Sequence, residues 1–327
     1  MVGEVGRRFP GATLSWLAGG THVLATLTGP RRPLPPGGGE ASAWTGDRER
    51  SLLILDAASL DTIRVIDLDP DEHAISLTVD DRTDVVCWVG VRRDRTWVIR
   101  AAHPSTGEVQ VLASGLAPAS TRGLPVLTAV AGSLCWAESG DDEHWRTSVV
   151  DLITGECRAV ADHAPGEWAR KCYGLADGRV LHIVQEVAEH RNRIDLTDVD
   201  GSHTVLPGGE LLALWHDRFA VVTPAGKIPT VGRTMRRTVG TGWIADGAAL
   251  GVAQELITRF EVHRIRYDQL GRLCAMTMDA LERGSEDGWG RWRWEQLASP
   301  GRPFTTVGEM TVVADYADDQ PVLRAFA

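Results

Sequence analysis

The feature that most restricts the fold is a repeat. Cys87-Trp88 followed by Trp97 recurs as Cys135-Trp136 followed by Trp145, with a tryptophan gap of nine both times and an offset of 48 residues. The same offset carries Thr106-Gly107-Glu108 onto Thr154-Gly155-Glu156, and a third unit places Asp200-Gly201 at nearly the same phase. Gly supplies the positive φ that a tight hairpin demands, so each of these segments joins two strands. Between them run short apolar stretches punctuated by Gly, Asp and Pro, with almost no sustained helical periodicity. This is the all-β pattern.

A second kind of turn also recurs. Ala176-Asp177-Gly178 leads into Leu181 and Gln185-Glu186, and Ala245-Asp246-Gly247 leads into Leu250 and Gln254-Glu255 at identical internal spacing. Related turns are expected at Ala18-Gly19-Gly20, Asp80-Asp81, Ala131-Gly132, His216-Asp217 and Gly308-Glu309. Together these turns divide the chain into four-stranded units of about 45 residues, the period of propeller blades. On these residues the chain resembles the β-propeller superfamily, in particular the loosely patterned bacterial propellers of the WD40 and lactonase-like kind. The resemblance implies one all-β propeller domain over residues 1–327, with four-stranded blades numbering seven, and six or eight as alternatives. One segment interrupts it. The Pro- and Gly-rich stretch from Pro30 to Gly39 has a composition that cannot pack, so residues 28–50 are expected to form a long loop inserted in the first blade.

Composition removes several classes of function. Lys+Arg 34 against Asp+Glu 44 leaves a net charge of −10, opposed to a protein whose task is wrapping phosphate backbones. No apolar run approaches the roughly 18 residues of a membrane span, and Met1 to Pro10 lack a signal-peptide core, so the expected address is the cytoplasm. The five cysteines form no CxxC pair and read as reduced core thiols. The chain has no GxSxG elbow, Walker loop, HExxH or zinc-spaced Cys/His cluster. Gly240-Thr241-Gly242-Trp243-Ile244-Ala245 matches a GxGxxA string, but Asp246-Gly247 and a strand-like run follow where a helix N-terminus is needed. The expectation is therefore a protein with no cofactor and no metal.

In a propeller the loops after each second strand gather on one face with the inter-blade connections, around the axial channel. Gln185-Glu186 and Gln254-Glu255 are expected to end second strands there, as is Glu138 in Cys135-Trp136-Ala137-Glu138. Carboxylates converging from different blades repel one another and lose solvation, which raises a pKa toward general acid or base work. Glu138, Glu186 and Glu255 are thus the candidate catalytic groups, against the plainer reading of solvated strand ends. Gln185, Gln254, His144, His190, Trp168 and Arg122 are the candidate substrate-binding residues, and Trp168 beside an inter-blade Glu167 suits stacking on a planar or cationic organic ligand. Trp289, Trp292 and Trp294 alternate with Arg291 and Arg293, which reads as a strand with one Trp face and one Arg face. Two functions fit: a cofactor-independent cyclase, lyase or lactonase-like enzyme acting on a small organic ligand in the channel, or a WD40-type scaffold for a protein partner. Neither nucleic acid nor membrane is an expected partner.

Overall fold

In the computed structural model the strands form seven four-stranded antiparallel sheets. The structure describes all residues except 1–3, 11, 29–49, 70, 93, 118–123, 140–143, 176, 189–190, 207–210, 216–217, 228–234, 244–250, 261–263, 278–279, 287–291, 300–303 and 318–319. The N-terminal strand β1 (Glu4–Arg8) stands apart from the simple order. The first blade then holds β2 (Thr13–Gly19), β3 (Val23–Thr28), β4 (Arg50–Leu55) and β5 (Thr62–Asp67). The second holds β6 (His73–Val79), β7 (Val86–Val91), β8 (Thr96–Ala102) and β9 (Val109–Leu116). The third holds β10 (Val126–Val130), β11 (Ser133–Ser139), β12 (Trp145–Asp151) and β13 (Cys157–Asp162), and the fourth β14 (Glu167–Gly174), β15 (Val180–Glu186), β16 (Arg191–Thr197) and β17 (His203–Leu206). The fifth comprises β18 (Leu211–Trp215), β19 (Arg218–Lys227), β20 (Met235–Trp243) and β21 (Gly251–Phe260). The sixth comprises β22 (Arg264–Tyr267), β23 (Leu273–Met276), β24 (Leu281–Glu286) and β25 (Trp292–Ala298). The last sheet takes β26 (Phe304–Val307), β27 (Met310–Ala317) and β28 (Gln320–Phe326) from the end of the chain and β1 from its beginning.

The core is a set of seams between blades, not a single central mass. One buried cluster joins Leu24 and Ile54 of the first blade to Trp88 and Val86 of the second. The next joins Cys87, Val89 and Trp97 of the second to Leu134 and Trp136 of the third. The repeated Trp88 and Trp136 thus face backwards from the second strand of each blade onto its predecessor. Small residues make room for the rings. The Trp97 indole lies over Gly115 on the adjacent strand, and the Trp294 indole over Gly284. Trp294 is half-buried and Arg293 exposed, whereas Trp289 and Arg291 lie outside the described residues.

An innermost strand has one edge with no sheet partner, which would strand its backbone donors. Here hydroxyls of the neighbouring blade fill that need: Ser76 Oγ accepts from the Leu127 N–H at 2.7 Å and Thr78 Oγ1 from the Ala129 N–H at 3.1 Å. The turns are tied in the same way, with Asp80 accepting from the Gly132 N–H at 2.7 Å. The ring closes through β1, which pairs with β28 from Glu4↔Phe326 to Arg8↔Val322. Arg7 on that strand donates to Leu60 O and to Thr62 Oγ1 at 2.8 Å, clamping the last blade to the first.

Two sequence expectations change. Ala245-Asp246-Gly247 does not follow an innermost strand; it falls between β20 and β21, outside the described residues. The turn after the innermost strand of the sixth blade is Asp268 to Arg272, organised by the Asp268 carboxylate accepting from the Leu270 and Arg272 N–H groups. First-to-second and third-to-fourth strand turns are both tight hairpins on one end of the blade, so the same turn chemistry serves either and does not reveal which it is. Cys157 is exposed, unlike the buried Cys87, Cys135, Cys172 and Cys274, and all five are free thiols. The insertion expected at 28–50 lies between β3 and β4, with residues 29–49 outside the described residues, as is the expected turn His216-Asp217.

Because Trp136 fills a seam on which two blades depend, Trp136→Ala is expected to lower unfolding free energy by about 3 to 5 kcal/mol. Urea denaturation followed by tryptophan fluorescence and far-ultraviolet circular dichroism checks this; a loss under about 1 kcal/mol would show that the seam tolerates the cavity.

Candidate active site

The seam between the third and fourth blades differs from the two before it. On the second strand of the fourth blade, at the backward-facing place that Trp88 and Trp136 fill earlier, stands His182. Its ring is fully buried, so each ring nitrogen needs a partner. His182 Nδ1 lies 3.2 Å from Thr147 Oγ1 on β12 and His182 Nε2 lies 3.0 Å from Thr197 Oγ1 on β16. Thr147 Oγ1 is also 3.1 Å from Nε2 of His163, in the connection between the two blades. The imidazoles meet edge to face at 5.3 Å. Burial holds both histidines below the ordinary imidazole range, His182 at about 3. One Thr147 hydroxyl proton serves two neutral rings, so Thr147 donates to one and accepts from the other, and the row Thr197, His182, Thr147, His163 has a direction.

Above this row the same face of the fourth blade carries charge. Glu167 begins β14 and Glu186 ends β15, and the two sit opposite each other in register. Facing carboxylates repel, and Arg193 on β16 supplies the counter-charge. Its Nη1 donates to Glu167 Oε1 at 2.5 Å and to Glu186 Oε1 at 3.0 Å, while its Nε donates to both oxygens of Asp195 at 2.9 Å. Three carboxylates from three strands therefore share one guanidinium. The Arg193 hydrogen bond holds Glu167 below the usual carboxylate range, and Glu167 in turn helps keep Arg193 firmly cationic.

The antiparallel order puts the start of every first strand and the end of every second strand at one end of the disc. Glu138 is at that end too, opposite Arg146 in register. Half-buried in the preceding seam, it has its pKa raised by desolvation, with Arg146 opposing. Thus two carboxylates at one end of the disc have environments that push them in opposite directions.

The expected residues separate accordingly. Glu186 ends its second strand as read from the sequence, and Glu138 is the last residue but one of its own. Glu255 and Gln254 do not: they lie within β21, the outermost strand of the fifth blade, opposite Gly240 and Thr241. The misplaced Ala245-Asp246-Gly247 turn carried them to the wrong strand. Gln185 pairs with Trp168, and both are half-buried. His144 is exposed just before β12, while His190 and Arg122 lie outside the described residues. The sequence reading missed Arg193 and Asp195, whose spacing of two on a strand already puts them on one face. It also missed His182, legible only by aligning Leu181-His182 with Cys135-Trp136. Among the described residues no group of three His, Cys, Asp or Glu is placed to hold a metal ion, and no helix is long and apolar enough to cross a membrane.

The fold and this seam define the chain as a β-propeller. No protein-family model matches it, and no curated protein is similar to it in sequence. Its structure is similar to the β-propeller domain of the Trilobed protease from Pyrococcus furiosus, with TM-score 0.64 and 12% identity over 97% of this chain and 93% of that one. It is also similar to Pyrococcus horikoshii acylaminoacyl peptidase, with TM-score 0.67 and 13% identity, where 97% of this chain spans only 51% of the peptidase. A streptogramin B lyase matches with TM-score 0.56 and 10% identity over 100% of this chain and 98% of that one. At these identities the likenesses show the fold alone.

The buried histidine predicts an acid-sensitive seam. His182 is neutral when folded down to about pH 3, whereas the unfolded ring takes a proton below about 6.5. The unfolded state thus binds more protons in that window, and stability falls as pH drops from about 6.5 toward 3. In His182→Leu the slope of unfolding free energy against pH between these limits should flatten by up to about one proton. An unchanged slope in urea titrations would mean that His182 is not the group responsible.

Proposed function

We propose that the protein is a small-molecule enzyme working at the loop-bearing end of its axial channel, by proton transfer that needs no cofactor. The observation that carries the reading is the convergence of Glu167, Glu186 and Asp195 on Arg193 at the mouth formed by the innermost strand. Glu138 is the proton donor, because burial keeps its carboxyl protonated to a higher pH than an ordinary glutamate. Glu167 and Glu186 stay as carboxylates against Arg193 and act on the substrate as bases or as fixed negative charge. Supporting the reading, the fold is shared with a lyase that uses a propeller over its whole length. The reaction class is lyase, cyclase or lactonase-like.

A second reading, a scaffold for a protein partner, draws on the outermost strands. Ile63 and Val65 on β5, Val109, Val111 and Leu116 on β9, and Val205 on β17 are exposed aliphatics on the disc's rim. It also draws on the peptidase, in which a propeller is only part of a longer chain.

Incubating the protein with a small-molecule extract and following depletion by mass spectrometry separates the two. The enzyme reading expects at least one compound to be consumed, with a rate that falls as pH rises through the raised Glu138 pKa. Glu138→Gln should lower that rate by about 10² to 10⁴-fold and remove the pH limb. Equal turnover by wild type and Glu138→Gln would overturn the assignment of the donor, and no consumption alongside a stoichiometric bound protein would favour the scaffold.

A further inference from the structure

The seam between the third and fourth blades holds two thiols as well as two imidazoles. Cys135 on β11 and Cys172 on β14 are fully buried in one cluster with Ala137 and Ala169. Cys87 and Cys274 belong to other seams, and neither of their clusters contains a second cysteine among the described residues. All four are free thiols, and the acid–base reading uses none of them.

Register explains why these two meet. Side chains alternate along β11, so Trp136 faces the second blade while Cys135 and Ala137 face the fourth. Cys172 stands opposite His182 on the adjacent strand and so shares its backward face. His182 lies 3.2 Å from Thr147, and Thr147 stands opposite Ala137, two residues along β11 from Cys135. The hydrogen bond across the seam therefore fixes the height at which the two cysteines face each other. Small side chains fix the separation. With Cys135 and Ala137 set against Ala169 and Cys172, β11 packs directly on β14 with α-carbons within 8 Å, more extensively than β3 or β7 packs on the first strand of the next blade. A disulfide needs α-carbons about 4.4 to 6.8 Å apart, an approach that an indole in either place would prevent. Burial, and then a hydrogen bond with Cys135, hold the Cys172 thiol well above its ordinary range.

We infer that Cys135 and Cys172 are a redox-modification site, at which hydrogen peroxide joins the two thiols in a disulfide that staples the third blade to the fourth. This goes beyond the acid–base reading and does not depend on it. In the closed seam the Cys172 thiol stays protonated, and the neutral His182 ring beside it offers no counter-charge. Reaction therefore belongs to brief local opening of the seam, where a thiolate forms. That thiolate attacks a peroxide oxygen, the O–O bond breaks, and a sulfenic acid and one water result. The second thiol then displaces the sulfenic hydroxyl as a second water and the S–S bond closes. Two thiols are oxidised and one peroxide is reduced to two waters, with no other reactant. The bond closes the chain between residues 135 and 172 into a loop, which restricts the unfolded chain and stabilises the folded one.

In the test the full chain is treated with hydrogen peroxide, remaining thiols are alkylated in denaturant, and peptides are mapped by mass spectrometry without reduction. The expected product is a peptide pair joined through Cys135 and Cys172, separated again by dithiothreitol, with Cys87 and Cys274 alkylated. The oxidised protein should show a urea midpoint higher by about 1 M, reversed by the same reductant. Cys135→Ala and Cys172→Ala, each with an unchanged circular dichroism spectrum, should abolish both the link and the shift. Cys157→Ala should leave both intact, which separates this bond from one made by the exposed thiol. If both cysteines are still alkylated in full once Cys157 has been oxidised, the inference fails. Links from either cysteine to Cys157 or Cys87 at equal yield overturn it as well, since the bond would then be forming in the unfolded chain. A Cys135–Cys172 link that lowers the midpoint or leaves it unchanged has the same force, because the sulfurs would not be seated in the native seam.

Discussion

A four-stranded sheet has two faces and no way to bury either by itself. Each blade's stability is therefore held in its seams, and every seam needs its neighbour. This is why the pairing of β1 with β28 matters beyond its five residue pairs. Without it the last sheet would lack its outermost strand, and the Arg7 contacts to the first blade would vanish with it. The indole rings of Trp88 and Trp136 set how closely consecutive blades approach, and Trp97 over Gly115 shows the sheet making room for such bulk within a blade.

Against that background the seam between the third and fourth blades is chemically different. An apolar ring at His182 would seal it as Trp136 seals the previous one. The imidazole instead requires hydroxyls on both sides, and Thr147 and Thr197 supply them. A buried polar network with its partners in place costs little; one partner lost leaves a group desolvated without compensation, at about 1 to 3 kcal/mol. The row therefore constrains its own composition tightly. It ends at His163, in the connection that also leads into Glu167, so the buried row and the charged mouth share one segment of chain.

Strand placement and most turns were legible in the sequence because period-two alternation and hairpin chemistry are local properties. Which hairpin a turn belonged to was not, since Ala-Asp-Gly has the same backbone demands in either position. That ambiguity moved Gln254 and Glu255 by two strands, to the far edge of their blade. Glu186 survived because it is anchored to a turn correctly placed at Gly178, whose φ is +86°. Arg193 and Asp195 went unmarked in the sequence because only the register sets them beside Glu167 and Glu186. Their significance comes from a cross-strand relation that no one-dimensional window contains.

The same distinction between composition and placement governs the electrostatics. A net charge of −10 describes what a partner meets at the outer surface. It says nothing of the axis, where blade geometry admits only one strand from each sheet and so samples a small, unrepresentative part of the sequence. On those strands cations outnumber carboxylates, while at the mouth three carboxylates outnumber the guanidinium that binds them. Charge is thus segregated by strand position, with Glu167, Glu186 and Asp195 gathered on Arg193 and Arg170 exposed at the β14 bulge. Fixed charges held in register by neighbouring strands need no reorganisation, so a group approaching Glu167 and Glu186 meets an electrostatic environment already set by the sheet.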